Sequence, residues 1–133
     1  MAFVADNSVI VGWFIPSQAT DLTRTALRMS RREQVHVPAL WQSEFANVLV
    51  GLERRGRLAG HQVDAIVARA ERFGLEIHDA FASISPLISL TRTRGIKAYD
   101  ATYLHLAASL GVPIYTRDET LRAAARFAGL TAP

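Results

Sequence analysis

A chain of 133 residues, half of them hydrophobic and a fifth charged, has the size and composition of one folded domain and not of a disordered segment. The formal net charge is only +3, no stretch approaches the ~20 apolar residues of a membrane span, and cysteine is absent. A spanning helix, disulfides and thiolate chemistry are thereby excluded, and any metal is left to oxygen or imidazole ligands.

Met1 to Ala5 carries no basic residue and Asp6 interrupts the apolar run, so no signal peptide is expected and the expected location is cytoplasmic. Phe3-Val4-Ala5, stopped by Asp6-Asn7-Ser8, predicts a short buried strand with Asp6 at its carboxyl end. Val9 to Phe14 reads as a short helix or a packed loop, with Trp13 and Phe14 assigned either to the core or to an interface. Pro16-Ser17 is expected to open a helix running to about Arg31, with Ala19, Leu22, Ala26 and Met29 inward. Gln34 to Pro38 predicts a second strand closed by proline.

Leu40 to Arg57 has helical spacing, with Leu40, Phe45, Val48, Leu49 and Leu52 inward. Glu44 falls one turn in, beside Trp41, Phe45 and Val48, a more apolar setting than a surface acid needs. A helix from Gly60-His61 to Gly74 follows and forms an antiparallel hairpin with it. Leu75 to His78 predicts a third strand, and Asp79 is the expected cap of a helix from Phe81 to Arg94, with Pro86 as a candidate for its true first turn.

Gly95 breaks the pattern, and a new helix carries Asp100 in its first turn until Gly111 and Pro113 stop it. Val112 to Thr116 predicts the fourth strand, with Arg117-Asp118 as its polar end and Glu119 to Phe127 as a last helix. Leu130 to Pro133 is left as a frayed tail or a vestigial edge strand. Strands alternating with helices predict an α/β fold, a central parallel sheet of four to five short strands flanked by helices, in one domain over residues 1–133.

Asp6 and Asp118 fall at carboxyl ends of strands, where ligands of such sheets gather. Asp100 and Glu44 fall in early helical turns, and each of the four acids alone is also what a cap or a helix dipole favours. Together at one end of the molecule they would repel unless a cation sat among them. An all-oxygen set suits Mg²⁺ or Mn²⁺ and disfavours zinc; such a site hydrolyses phosphodiesters through a metal-activated water. Thr116 and Ser8 are candidates to support it, and Arg94, Lys97 and Arg117 are the nearest cations for nucleic-acid phosphates. Fourteen of the fifteen basic residues are arginine, which suits phosphate contact and is also what a GC-rich genome produces. His36, His61, His78 and His105 are scattered and read as surface or structural residues.

The strings Val4-Ala-Asp-Asn-Ser-Val-Ile-Val-Gly-Trp-Phe14, Glu44-Phe-Ala-Asn-Val-Leu49 with Arg54-Arg-Gly-Arg57, Ala98-Tyr-Asp-Ala-Thr-Tyr-Leu-His-Leu-Ala107 and Tyr115-Thr-Arg-Asp118 resemble PIN-domain proteins of the VapC toxin type across nearly the whole chain. The resemblance implies a PIN fold and a Mg²⁺- or Mn²⁺-dependent endoribonuclease acting on transfer or ribosomal RNA. It carries the metal role to Asp6, Glu44, Asp100 and Asp118 and a supporting role to Thr116. It also implies a homodimer and a VapB-like antitoxin as partners. Two other readings stay open: a PIN scaffold that binds RNA or protein without cutting, and a receiver-like phospho-acceptor domain. The latter wants a late strand-end lysine, and Lys97 is the only lysine.

Overall fold

Short apolar runs separated by helical segments pair as the alternation predicts. The computed structural model describes residues 1–79 and 82–133. Its strands β1 (Ala2–Ala5), β2 (Gln34–Pro38), β3 (Glu76–His78) and β4 (Ile114–Tyr115) form one sheet in the order β3-β2-β1-β4, every pair parallel. The chain steps outward from β1 to β3 and then returns to the other side of β1 for β4. The order therefore reverses between β1 and β4, and a crevice at a sheet's carboxyl edge opens at such a reversal.

Among the described residues, seven helices cover the sheet: α1 (Asn7–Phe14), α2 (Asp21–Met29), α3 (Leu40–Arg54), α4 (Gly60–Arg72), α5 (Ile84–Arg94), α6 (Ala98–Leu110) and α7 (Glu119–Phe127). Alternation along the strands separates the two faces. Ile77 lines an apolar cleft with Trp41, Phe45 and Val67 of α3 and α4, whereas His78 faces Leu87 of α5 and Thr102 of α6. Phe3, Val4, Val9, Ile10, Leu49, Leu104, Leu106, Ile114 and Leu121 are fully or almost fully buried and join all these layers in one core. Among the described residues, no helix is long and apolar enough to cross a membrane.

The region from Val9 to Phe14 is helical because Asp6, at the end of β1, caps it directly. Phe14 is buried, and Trp13 stacks on Phe73 at 5.2 Å and donates its indole N–H to the Thr23 carbonyl at 2.9 Å, so both aromatics pack internally. Helix α2 begins later than the Pro16 signal suggests. Pro16–Gln18 forms only a 3-10 turn, and Thr20 and Thr23 exchange side-chain to backbone hydrogen bonds that start α2 at Asp21.

Helix α3 stops at Arg54, short of Arg57, where Gly56 turns through a φ of 71°. Helix α5 starts at Ile84 with Ser83 in the cap position, so Asp79 is not its cap; the expected start at Phe81 lies outside the described residues. Pro86 lies in the first turn of α5, where a backbone donor has no helical acceptor to lose. The tail is not frayed: Ile114 donates its N–H to the Thr131 carbonyl at 3.0 Å, Arg122 and Arg126 bond the carbonyls of Pro133 and Ala132, and Ala132 is buried.

Candidate functional site

Asp6, Glu44, Asp100 and Asp118, contributed by the end of β1, α3, α6 and the start of α7, line one pocket of about 310 Å³ at the carboxyl edge of the sheet. Asn7, Ser8, Tyr103 and Arg117 share its walls. The pocket lies at the reversal between β1 and β4, and its first and last acids are the residues that follow those strands into helices. Asp6 and Asp118 do serve as N-caps, accepting from Val9 and Leu121 N–H respectively. Capping and pocket lining are thus combined in the same carboxylates.

Two hydroxyls tie the strand ends together. Thr116 donates to Asp6 Oδ2 at 2.5 Å and accepts the Asp118 N–H at 3.0 Å. Ser8 donates to Asp6 Oδ1 at 2.5 Å and accepts the Arg117 N–H at 3.0 Å. Each hydroxyl has one proton to give, and both give it to Asp6, which is 4% exposed.

Burial nevertheless pushes the Asp6 carboxyl up to about 6, against the lowering effect of the bonds from Ser8, Thr116 and Val9, and the Asp100 charge adds to the rise. Burial raises Glu44 as well, with the Tyr103 hydrogen bond opposing and Asp100 reinforcing. Asp100 is raised by burial and by Asp118, and lowered by Lys97. Burial is thus the main reason these carboxyls hold their protons, and their mutual repulsion adds to it, with Lys97 opposing at Asp100. One further atom fits a cation: Asn7 Oδ1, in the same pocket, is buried without a hydrogen-bond partner. An oxygen-only donor set, mutually repelling and with a spare carbonyl oxygen, fits a hard divalent ion.

Tyr103 was not singled out by the sequence reading. Its hydroxyl donates to Glu44 Oε1 at 2.7 Å, and burial keeps that hydroxyl protonated. The available signal was its position, one turn after Asp100 and so on the same face of α6. The three expected phosphate-binding cations are placed differently from one another. Arg117 lines the pocket, with its guanidinium donating to the Gln18 carbonyl at 3.1 Å, and Lys97 at the start of α6 acts on Asp100. Arg94 stacks its guanidinium 3.7 Å over the Phe127 ring and does not line the pocket.

The histidines are less scattered than their sequence positions suggest. His36 Nδ1 and His78 Nε2 are 2.8 Å apart, with Glu76 Oε2 3.6 Å from His36. Burial lowers the His36 imidazole below its ordinary pKa, with Glu76 opposing and His78 reinforcing.

A family model described as the PIN domain matches residues 3–127. The chain is 27% identical to Ribonuclease VapC3 of Pyrobaculum aerophilum over 135 aligned residues, which cover 100% of both proteins. It superposes on the crystal structure of a Pyrobaculum aerophilum protein with a TM-score of 0.70 at 19% identity, covering 99% of this chain and 83% of that one. It superposes on VapBC2 of Rickettsia felis, crystallised with a DNA fragment from its promoter, with a TM-score of 0.68 at 14% identity over 100% of this chain and 98% of that one. At these identities the structural likeness concerns the fold.

Proposed function

Because this chain belongs to the PIN domain family, whose model spans residues 3–127, we propose that it is a VapC-type endoribonuclease toxin, dependent on Mg²⁺ or Mn²⁺, with residues 1–133 acting as one domain. The observation that carries this reading is the convergence of Asp6, Glu44, Asp100 and Asp118 in a single pocket whose acids repel one another. When bound, a hard divalent ion supplies Lewis-acid activation of a water and charge neutralisation at the phosphodiester.

The chain's own residues do the rest. Asp6, Asp100, Glu44 and Asp118 would hold the ion, and Asn7, whose Oδ1 is buried without a hydrogen-bond partner, lines the same pocket. Thr116 and Ser8 fix the orientation of Asp6, and Tyr103 fixes that of Glu44. Arg117 and Lys97 flank the pocket as phosphate contacts, and Arg94 has the weaker claim because its charge already sits on an aromatic face.

The full-length likeness to a ribonuclease supports RNA as substrate, and the fold shared with a VapBC protein supports a VapB-like antitoxin as partner; transfer or ribosomal RNA as the target and inhibition by that antitoxin complete the proposal. A homodimer in the cytoplasm belongs to the same reading. RNA cleavage with Mn²⁺, then with chelator, then with the Asp100→Asn variant, tests it. Cleavage that persists in chelator would remove the metal mechanism.

A further inference from the structure

The second cluster lies on the other side of β1 from β4. The parallel register pairs His36 with Glu76 and Pro38 with His78, so the three polar side chains project from one face of β2 and β3. One ligand atom from each of His36, Glu76 and His78 lies within 4.8 Å of the other two, and among the described residues no other trio of His, Cys, Asp or Glu comes so close. None of them lines the acid pocket.

The geometry points to a binding site for a first-row transition metal of the Zn²⁺ class at this edge of the sheet, with His36 Nδ1, His78 Nε2 and a Glu76 carboxylate oxygen as ligands. A tetrahedral centre with metal–nitrogen bonds of ~2.0–2.1 Å keeps its donor atoms about 3.3 Å apart. The separations of 2.8 Å and 3.6 Å found around His36 Nδ1 lie on either side of that spacing.

A simple hydrogen bond between the two imidazoles is the plainer account of the shorter contact. One proton on His36 Nδ1, however, serves only one of its two neighbours, whereas a cation serves all three groups. Two imidazoles and one carboxylate form a borderline-soft set that suits zinc, cobalt, nickel or copper, in contrast to the oxygen-only acid pocket.

The ligands stand on paired strands, so the site is largely formed before an ion arrives. Glu76 is on the rim, with 56% of its side chain exposed, which leaves a way in. An ion here clamps the edge strand β3 to β2 and stabilises the native state by mass action.

The test uses the full chain, stripped with chelator and dialysed, and Zn²⁺ alone as the probe, with calorimetric titration and thermal melts. One equivalent of Zn²⁺ is expected to bind and raise the Tm, and Co²⁺ to give the visible spectrum of a four-coordinate centre with nitrogen ligands. Glu76→Gln and His78→Asn should each weaken binding by about tenfold or more, while Asp100→Asn leaves it unchanged. Glu76 is exposed, so its variant folds even if the histidine variant does not. The site is disproved if Zn²⁺ leaves the wild-type Tm unmoved, or if Asp100→Asn abolishes binding that Glu76→Gln leaves intact. RNA cleavage is not among these readouts, so failure of the nuclease reading would leave the result standing.

Discussion

Tyr103 of α6 donates its hydroxyl to Glu44 of α3 at 2.7 Å, so a phenol one turn beyond Asp100 holds an acid from a different helix in the shared pocket. That bond lowers the pKa of Glu44 while burial raises it. Tyr103→Phe removes the donor and keeps the ring. We expect a loss of about 1–2 kcal/mol in urea unfolding. The acid limb of the pH–rate profile should also move to higher pH, because Glu44 then loses its proton later. An unchanged profile would show that Glu44 does not titrate in the reaction.

Asp6 gives the pH dependence of folding a definite sign. Its pKa is about 6 in the folded protein against 3.8 ordinarily, so the native state binds the proton more tightly. The stability that Asp6 contributes is fully present below about 3.8 and is lost as pH rises through about 6, by roughly 3 kcal/mol in total. In chelator, melts should therefore show a higher Tm near pH 5 than near pH 7.5, and Mn²⁺ should recover the difference at the higher pH. The Asp6→Asn variant should flatten this dependence in chelator, though not recover all the stability, because the amide has one acceptor oxygen for two donating hydroxyls, Ser8 and Thr116, and its NH2 group cannot accept.

Thr116→Val tests the hydroxyl between the two strand ends. The variant keeps the shape and leaves both Asp6 Oδ2 and the Asp118 N–H without that partner. A destabilisation of about 1–3 kcal/mol is expected, with RNA cleavage reduced more than Thr116→Ser reduces it. Equal effects of the two variants would show that the hydroxyl has no positioning role.

Asp100→Asn separates the acid's electrostatic cost from its use. Its charge raises both Asp6 and Glu44, so neutralising it should leave the metal-free protein as stable or more so at neutral pH. Mn²⁺-dependent RNA cleavage should fall by about a hundredfold or more. A marked drop in chelator Tm would contradict the repulsion described here.

Gly12 offers a test away from the pocket. A Cβ added there would stand 2.5 Å from Thr23 Cγ2, and the Thr23 side chain is buried and held by its bonds to Thr20. Gly12→Ala should cost about 1–3 kcal/mol by forcing α1 away from α2, measured by denaturant unfolding.

The sheet and its acids were legible in the sequence to different depths. β1 and β2 could be read because each apolar run ends abruptly, at Asp6 and at Pro38, and α6 because its periodicity meets Gly111 and Pro113. Placing Asp6 and Asp118 together needed only the rule that ligands gather at strand ends. Glu44 was harder, since the rotation of α3 against the sheet is fixed by packing and not by its own periodicity. The start of α2 was misread because Pro16 is an equally good helix opener, while Thr20 and Thr23 form a less familiar capping pair. The approach of His36 to His78 was invisible. It depends on the register between β2 and β3, and a one-residue slip would send their side chains to opposite faces.

The last four residues have a mechanical role that their position at the chain's end conceals. β4 is two residues long, and its outer border is occupied by the main chain of Thr131, while the arginines of α7 grip the two residues that follow. That border of the sheet is covered by this segment, through one backbone bond and two arginine bonds. Clipping or displacing that seam would slacken β4 at once, and the disturbance would reach Thr116, the next residue along, before it reached anything else of consequence.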